Sequence, residues 1–265
     1  MKRHEQDRGL AHDLHVMLAR ASRRDFLWLL AGAGAAPLVG CGSDGGRNGN
    51  PSGGDPAGCA PIPEETAGPF PGDGSNEPDA LALSGIVRSD IRSSIAGATG
   101  TAEGVVLTVA LTLVDTAGEC APIAGRAVYV WHCDREGRYS MYSDGVTEEN
   151  YLRGVQVSDD AGSVTFTTVF PGCYPGRMPH IHFTVYPGMD SIGAGREIAT
   201  SQLALPVEAC QAVYAAAGYE ASIDALARTS FETDGVFADG ASRQIATTSG
   251  GAAGYTATLE VGIGA

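Results

Sequence analysis

Val105-Val106-Leu107-Thr108-Val109-Ala110-Leu111-Thr112-Leu113-Val114 alternates, with Leu107, Val109, Leu111 and Leu113 falling on one face. Successive side chains of an extended chain point to opposite sides, so this pattern predicts a strand with one face in a core. Working outward, Arg126 to Trp131 (RAVYVW), Ile181 to Tyr186 (IHFTVY) and Tyr255 to Ile263 (YTATLEVGI) read as further strands. Val155 to Ser158 and Ser163 to Phe170 flank Asp159-Asp160-Ala161-Gly162, which reads as a hairpin turn. Helical patterning is weak: Pro206 to Ala217 is the best candidate, and Asp224 to Arg228 offers one more turn. Many short strands with Gly/Pro turns predict an all-β chain, a β-sandwich with short helices and long loops.

The length, 265 residues, suits one large β domain or two small ones with tails, and a 43% hydrophobic content excludes wholesale disorder. Formal charge is −14, from 17 Lys+Arg against 31 Asp+Glu, and argues against a nucleic-acid binder, which needs a basic face. The first forty residues hold Lys2, Arg3, Arg8, Arg20, Arg23 and Arg24; beyond them there is no lysine, and 11 basic residues face 27 acidic ones. Ser22-Arg23-Arg24-Asp25-Phe26-Leu27 precedes an apolar run ending at Val39, shorter than the about 20 residues that span a bilayer. This reads as an export signal over 1–40, the paired arginines resembling a twin-arginine signal. Leu38-Val39-Gly40-Cys41 resembles a bacterial lipoprotein box, so that lipid on Cys41 would tie a periplasmic or cell-surface protein to a membrane. Residues 41–58, rich in Gly, Ser, Asn and Pro, read as a flexible tether, with the folded domain over 59–265.

Five cysteines follow Cys41: Cys59, Cys120, Cys133, Cys173 and Cys210. An oxidising compartment predicts one or two disulfides with one thiol left over, in a pairing the sequence does not give. A zinc cluster lacks any CxxC spacing to support it.

Of six histidines only His132, His180 and His182 fall in the folded part. His180-Ile181-His182 at a strand start puts both imidazoles on one face, with Ile181 and Phe183 on the other. Two neutral imidazoles looking into a cleft suit a shared metal; the alternative is two partly exposed histidines on a strand. Tyr139 in Gly137-Arg138-Tyr139-Ser140 and Tyr174 in Pro171-Gly172-Cys173-Tyr174-Pro175-Gly176-Arg177 each lie beside a strand end or turn. A phenolate is a hard anionic donor that suits Fe(III) better than zinc or copper(I), whereas a tyrosine without a metal packs with its hydroxyl hydrogen-bonded. His132 reads as a core or supporting residue, and Asp159-Asp160 as a turn before any calcium site.

Taken together, VYVWHCDREGRYSMYS, YLRGVQVSDDAGSVTFTTVFPGCYPGRMPHIHF and Glu65-Thr66-Ala67-Gly68-Pro69-Phe70 resemble the intradiol ring-cleavage dioxygenases, over roughly Cys59 to Ile263. The resemblance implies one non-haem Fe(III) held by Tyr139, Tyr174, His180 and His182, between the sandwich layers or at their edge. Tyr174 would be the axial tyrosine that leaves the metal when substrate binds, with His182 opposite. Arg177 would stabilise negative charge on the bound aromatic, and Gln202 would share its pocket. The implied reaction cleaves an ortho-diphenol between its hydroxyl-bearing carbons with O2, giving a muconate-type diacid. Leader and tether stand where catechol 1,2-dioxygenases carry a long helical dimerisation region, and the oligomeric state is left open, a homodimer included. Cys133 and Cys173, beside these motifs, would form either a disulfide or two buried thiols. Substrate choice would rest on loops such as Met141 to Tyr151 and Gly188 to Arg196. Two other readings are a membrane-anchored sandwich module that binds carbohydrate or aromatic polymer without catalysis, and a zinc or copper site on the same four residues.

Overall fold

A computed structural model describes residues 60–264. The export signal, Cys41, the tether and Cys59 lie outside the described residues. Among the described residues nine strands form two sheets. The first contains β1 (Val106–Asp115), β2 (Ala121–Pro122), β5 (Ser163–Val169), β8 (Thr247–Gly251) and β9 (Gly254–Ile263). Here β1 lies parallel to β9, with Leu107 opposite Tyr255, and antiparallel to β5, with Val109 opposite Phe166. The second sheet runs β4 (Arg153–Val157), β3 (Ala127–Trp131), β6 (His180–Tyr186) and β7 (Ala199–Ala204), all antiparallel. Two short helices follow, α1 (Val207–Val213) and α2 (Glu220–Leu226). Among the described residues no helix is long and apolar enough to cross a membrane.

The all-β expectation holds, and alternation places the core. Leu107, Val109, Leu111 and Leu113 of β1 pack with Phe166 of β5, Val128 and Val130 of β3, and Ile181, Phe183 and Val185 of β6. Burial of each such side chain contributes about 1.5–3 kcal/mol. A second apolar cluster, with Tyr129, Trp131, Tyr139, Tyr142, Val155 and Tyr186, lies on the other face of the four-stranded sheet. Phe70, Leu81 and Leu83 from the segment before β1 pack onto it. Consequently β6 is buried along its whole length, by a sheet on one side and by loops on the other.

Three expectations need correction. Asp159 to Gly162 does form a turn, with the Gly162 amide donating to the Asp159 carbonyl at 2.8 Å, but it does not close a hairpin. β4 belongs to one sheet and β5 to the other, so the turn is a corner between layers. The Asp159 side chain accepts from the Ala161 and Ser163 amides at 2.9 and 2.8 Å, which accounts for its place in the turn. Second, one leftover thiol is expected but three, Cys133, Cys173 and Cys210, are free and buried, so that of the two alternatives for Cys133 and Cys173 the pair of buried thiols holds; Cys120 is disulfide-bonded. The Cys133 and Cys173 thiols turn to backbone instead, donating to the carbonyls of Gly172 and Arg177 at 3.6 and 3.4 Å. Third, since Ile181, Phe183 and Val185 fill the space between the sheets, the face of His180 and His182 points outward from the sandwich, under the covering loops. The paired residues are not between the layers.

Candidate metal centre

Strand β6 fixes the two imidazoles. His180 Nδ1 lies 2.6 Å from the Met178 carbonyl, so it carries the proton and donates, leaving the Nε2 lone pair free. His182 pairs across the strands with Trp131 and stacks on its indole, centroids 4.9 Å apart and planes 7° from parallel. Its Nδ1 is buried beside the Thr66 backbone without a hydrogen bond of normal geometry. Gly68, at φ +70, lies so close that a Cβ there would be 3.3 Å from His182 Cε1. The segment before β1 thus lies against the Cε1–Nε2 edge of the ring.

Tyr139 comes from the loop between β3 and β4. Asp134 shapes that loop by accepting from the Glu136 and Arg138 amides at 3.0 and 2.9 Å, and from Arg138 Nε at 2.9 Å. Phe70 packs on Tyr139 with ring centroids 5.1 Å apart. Tyr174 comes from the turn after β5. The Gly172 amide donates to the Asp134 carbonyl at 2.9 Å, and the Cys173 amide donates to Ser222 Oγ at 2.9 Å. A Cβ on Gly172 would meet the Arg135 carbonyl oxygen at 2.4 Å. Gly172→Ala should therefore push the two tyrosine-bearing loops apart, costing about 1–3 kcal/mol as overpacking does. Thermal unfolding of the variant checks the loss.

Four donor atoms converge. Tyr139 Oη is 3.3 Å from Tyr174 Oη, 3.4 Å from His180 Nε2 and 3.4 Å from His182 Nε2. Tyr174 Oη is 3.2 Å from His180 Nε2, and the two Nε2 atoms are 3.1 Å apart. Donors bound to one ion at about 2.1 Å stand about 3.4 Å apart in a tetrahedron and about 3.0 Å apart at right angles. The observed spacings fall in that interval. Burial, reinforced by the Arg177 charge, pushes both imidazoles well below their ordinary value, so they are neutral and able to ligate. Burial, with Tyr174 alongside, pushes the Tyr139 phenol well above its own, so a nearby cation is what would deprotonate it. The set fits a trivalent ion in charge and in donor hardness. Among the described residues no three His, Cys, Asp or Glu side chains cluster to hold a metal.

The remaining expected residues are also here. Arg177, 4% exposed, donates from Nη2 to Gln202 Oε1 on β7, and Gln202 Nε2 donates to the Thr66 carbonyl at 2.9 Å. His132 is outside the set: its Nε2 meets Thr168 Oγ1 at 2.7 Å and its Nδ1 the Cys133 carbonyl at 2.8 Å. Burial lowers it to about 4, consistent with a neutral core residue. Two participants gave no signal in the sequence. Asp234 holds Arg177, and Arg153 joins the segment before β1 to the Tyr139 loop. Neither lies in a recognisable motif, and each acts through tertiary contacts.

This is a phenol–imidazole centre on the face of a β-sandwich. Residues 87–188 match the family model described as Dioxygenase, a span that includes all four donors and Arg177 but not Gln202. The chain is 30% identical over 99 residues to a protein named catechol 1,2-dioxygenase from Candida albicans, and 37% identical over 60 residues to a chlorocatechol 1,2-dioxygenase from Rhodococcus opacus. Those matches cover 30% and 23% of this chain and span 32% and 23% of the relatives' lengths. The structure is similar to an intradiol ring-cleavage dioxygenase from Tetranychus urticae, with a TM-score of 0.61 and 28% identity over 78% of this chain and 95% of that one. By domain match and by fold, the chain is similar to the intradiol dioxygenases.

Proposed function

We propose that this protein is a non-haem ferric dioxygenase that opens an ortho-diphenol between its two hydroxyl-bearing carbons with O2, yielding a muconate-type diacid. The observation that carries the reading is the convergence of Tyr139, Tyr174, His180 and His182, with donor spacings of 3.1 to 3.4 Å. Those four residues would hold Fe(III), which when bound supplies a Lewis acid and a template for the diphenolate.

The chain's own groups then have definite tasks. Tyr174 is half-buried while Tyr139 is buried, so Tyr174 Oη is the oxygen on the accessible side and the one suited to receive a substrate proton. Arg177 places a fixed positive charge beside the centre, and Gln202 braces it through Oε1. Gly68 and Phe70 shield His182 and Tyr139 from water. The leader and Cys41 supply the address we propose: export by the twin-arginine route and a lipid anchor at a periplasmic or outer face.

The test is oxygen uptake and absorption spectra of the iron-loaded protein with catechol, protocatechuate and hydroxyquinol. A phenolate-to-iron charge-transfer band that shifts when a diphenol is added without oxygen is expected, followed by uptake once oxygen enters. A colourless protein, or no uptake with any of the three, overturns the reading. Arg177→Ala should keep iron yet raise the barrier by about 2–4 kcal/mol, the range for removal of a donor to developing negative charge. Measured kcat/KM at unchanged iron content checks this.

A further inference from the structure

The segment between α2 and β8 contributes no ligand, yet it reaches the centre through one carboxylate. Asp234 is fully buried and sits against Arg177, whose Nε donates to Oδ1 and Oδ2 at 2.9 and 3.1 Å. Two backbone amides complete the carboxylate's shell: Met178 N donates to Oδ2 at 2.7 Å and Val236 N to Oδ1 at 2.9 Å. The guanidinium carbon also lies 5.7 Å from the Phe237 ring centroid. Both grips on Arg177 from this segment are therefore three residues apart in sequence. Beside it, Nη2 donates to Gln202 Oε1, which leaves the Gln202 amide nitrogen to donate to the Thr66 carbonyl. Among the described residues Nη1 meets no acceptor.

A guanidinium has five donors in a rigid fork, so fixing two of its nitrogens fixes the direction of the third. A carboxylate already satisfied by two amides cannot swing to follow a moving arginine. Met178 and Pro179 also separate Arg177 from His180, so the Met178 amide that binds Asp234 belongs to the same turn whose carbonyl orients His180.

We propose that Asp234 is a positioning residue for ring cleavage: it holds Arg177 by its Nε edge, and Gln202 through it, so that Nη1 is left to meet the negative charge of the bound diphenolate. The proposal rests on the dioxygenase reading above. It assigns to Asp234 the direction of the cation, with no contact between the carboxylate and substrate.

The test is a double-mutant cycle between Asp234→Asn and Arg177→Ala in the iron-loaded protein, with kcat, KM, iron content and the charge-transfer band recorded. Asp234→Asn should keep iron and band and lower kcat by about 10- to 100-fold, an effect carried by a misdirected charge-stabilising donor. In the Arg177→Ala background the same substitution should change kcat by less than about twofold, because the two act as a unit. Equal losses in both backgrounds, or an unchanged kcat in the single variant, overturn the proposal. Asp234→Glu keeps the charge but displaces it, so it should also lower kcat at full iron content; wild-type kcat in that variant overturns the proposal even where Asp234→Asn does not fold. A second readout needs no turnover. In the metal-free protein the Arg177 Nε proton should exchange slowly with solvent, and faster in Asp234→Glu or Asp234→Asn. Equally slow exchange in a folded variant shows that Asp234 does not hold the arginine. If the unsubstituted protein consumes no oxygen with any diphenol, the functional reading falls by itself, while the exchange measurement still decides the Asp234–Arg177 pairing.

Discussion

His182→Ala should abolish ferric binding and, with it, both the charge-transfer band and oxygen uptake. The imidazole supplies one of four donors, and its Nε2 lies 3.1 Å from that of His180 and 3.4 Å from Tyr139 Oη. Loss of residues that merely orient a ligand weakens metal binding by about 10- to 100-fold, so loss of the ligand should exceed that range. The remaining donors cannot close over the gap. Tyr139 is held by Phe70, His180 by the Met178 carbonyl, and Trp131 keeps its place in β3. The ring stacks on Trp131 and Gly68 lies close to its Cε1, so the substitution also leaves an apolar hole, and some loss of stability accompanies it. Iron content per folded chain separates the two effects, with folding monitored by circular dichroism. Full iron occupancy in the folded variant would remove His182 from the ligand set.

Much of this arrangement could be read from residue order, and the parts that could not share a cause. β1, β5 and β9 announce themselves because half-buried strands alternate apolar residues with Thr or Ala, and β3 and β6, buried along their whole length, because they are runs of β-branched and aromatic residues. β8, Thr-Thr-Ser-Gly-Gly, has no buried residue, and so carries no apolar signal at all. β7 is hard to read for a different reason. Ala-Thr-Ser-Gln-Leu-Ala is mostly buried, yet its alternation is blurred because one face carries Ser201 and Leu203 while the other carries the buried Gln202. The turn at 159–162 showed where the chain bends but not which sheet it enters, since turn chemistry is local and sheet membership is not. The same division runs through the site. His-x-His and the tyrosine loops depend on short spacings, so they are visible in the sequence. The bonds from Arg177 to Asp234, 57 positions away, and from Arg153 to Phe70, 83 positions away, are products of the fold.

Arg153→Met should destabilise the protein by about 3–5 kcal/mol, the range for stripping a partner from a buried charged network. Arg153 is 0% exposed at the start of β4, and among the described residues it has no ion-pair partner. Its guanidinium is satisfied by neutral oxygens instead. Nη1 donates to the Pro71 carbonyl at 2.7 Å and to Tyr129 Oη at 3.2 Å. Nη2 donates to the Phe70 and Ser140 carbonyls, both at 3.0 Å, and Nε to Ser140 Oγ at 3.2 Å. Methionine fills similar volume but leaves the Phe70 and Ser140 carbonyls without a donor, the Pro71 carbonyl keeping only Tyr129 Oη at 2.8 Å, and the apolar cluster around them admits little water. The fit is tight: a Cβ on Gly72 would lie 2.7 Å from Nη1, so the chain passes the guanidinium with no side chain of its own. Since Phe70 and Pro71 belong to the segment that shields the centre and Ser140 follows Tyr139, the loss should appear first as release of that segment. Proteolysis between residues 61 and 72 should then accelerate at denaturant concentrations that leave the sandwich folded. Arg153→Lys, with three donors on a flexible stem, should recover only part of the stability. Denaturant titration of both variants gives the magnitudes, and an Arg153→Met protein as stable as the original would mean that the clamp is not what secures the cover over the face that carries His180 and His182.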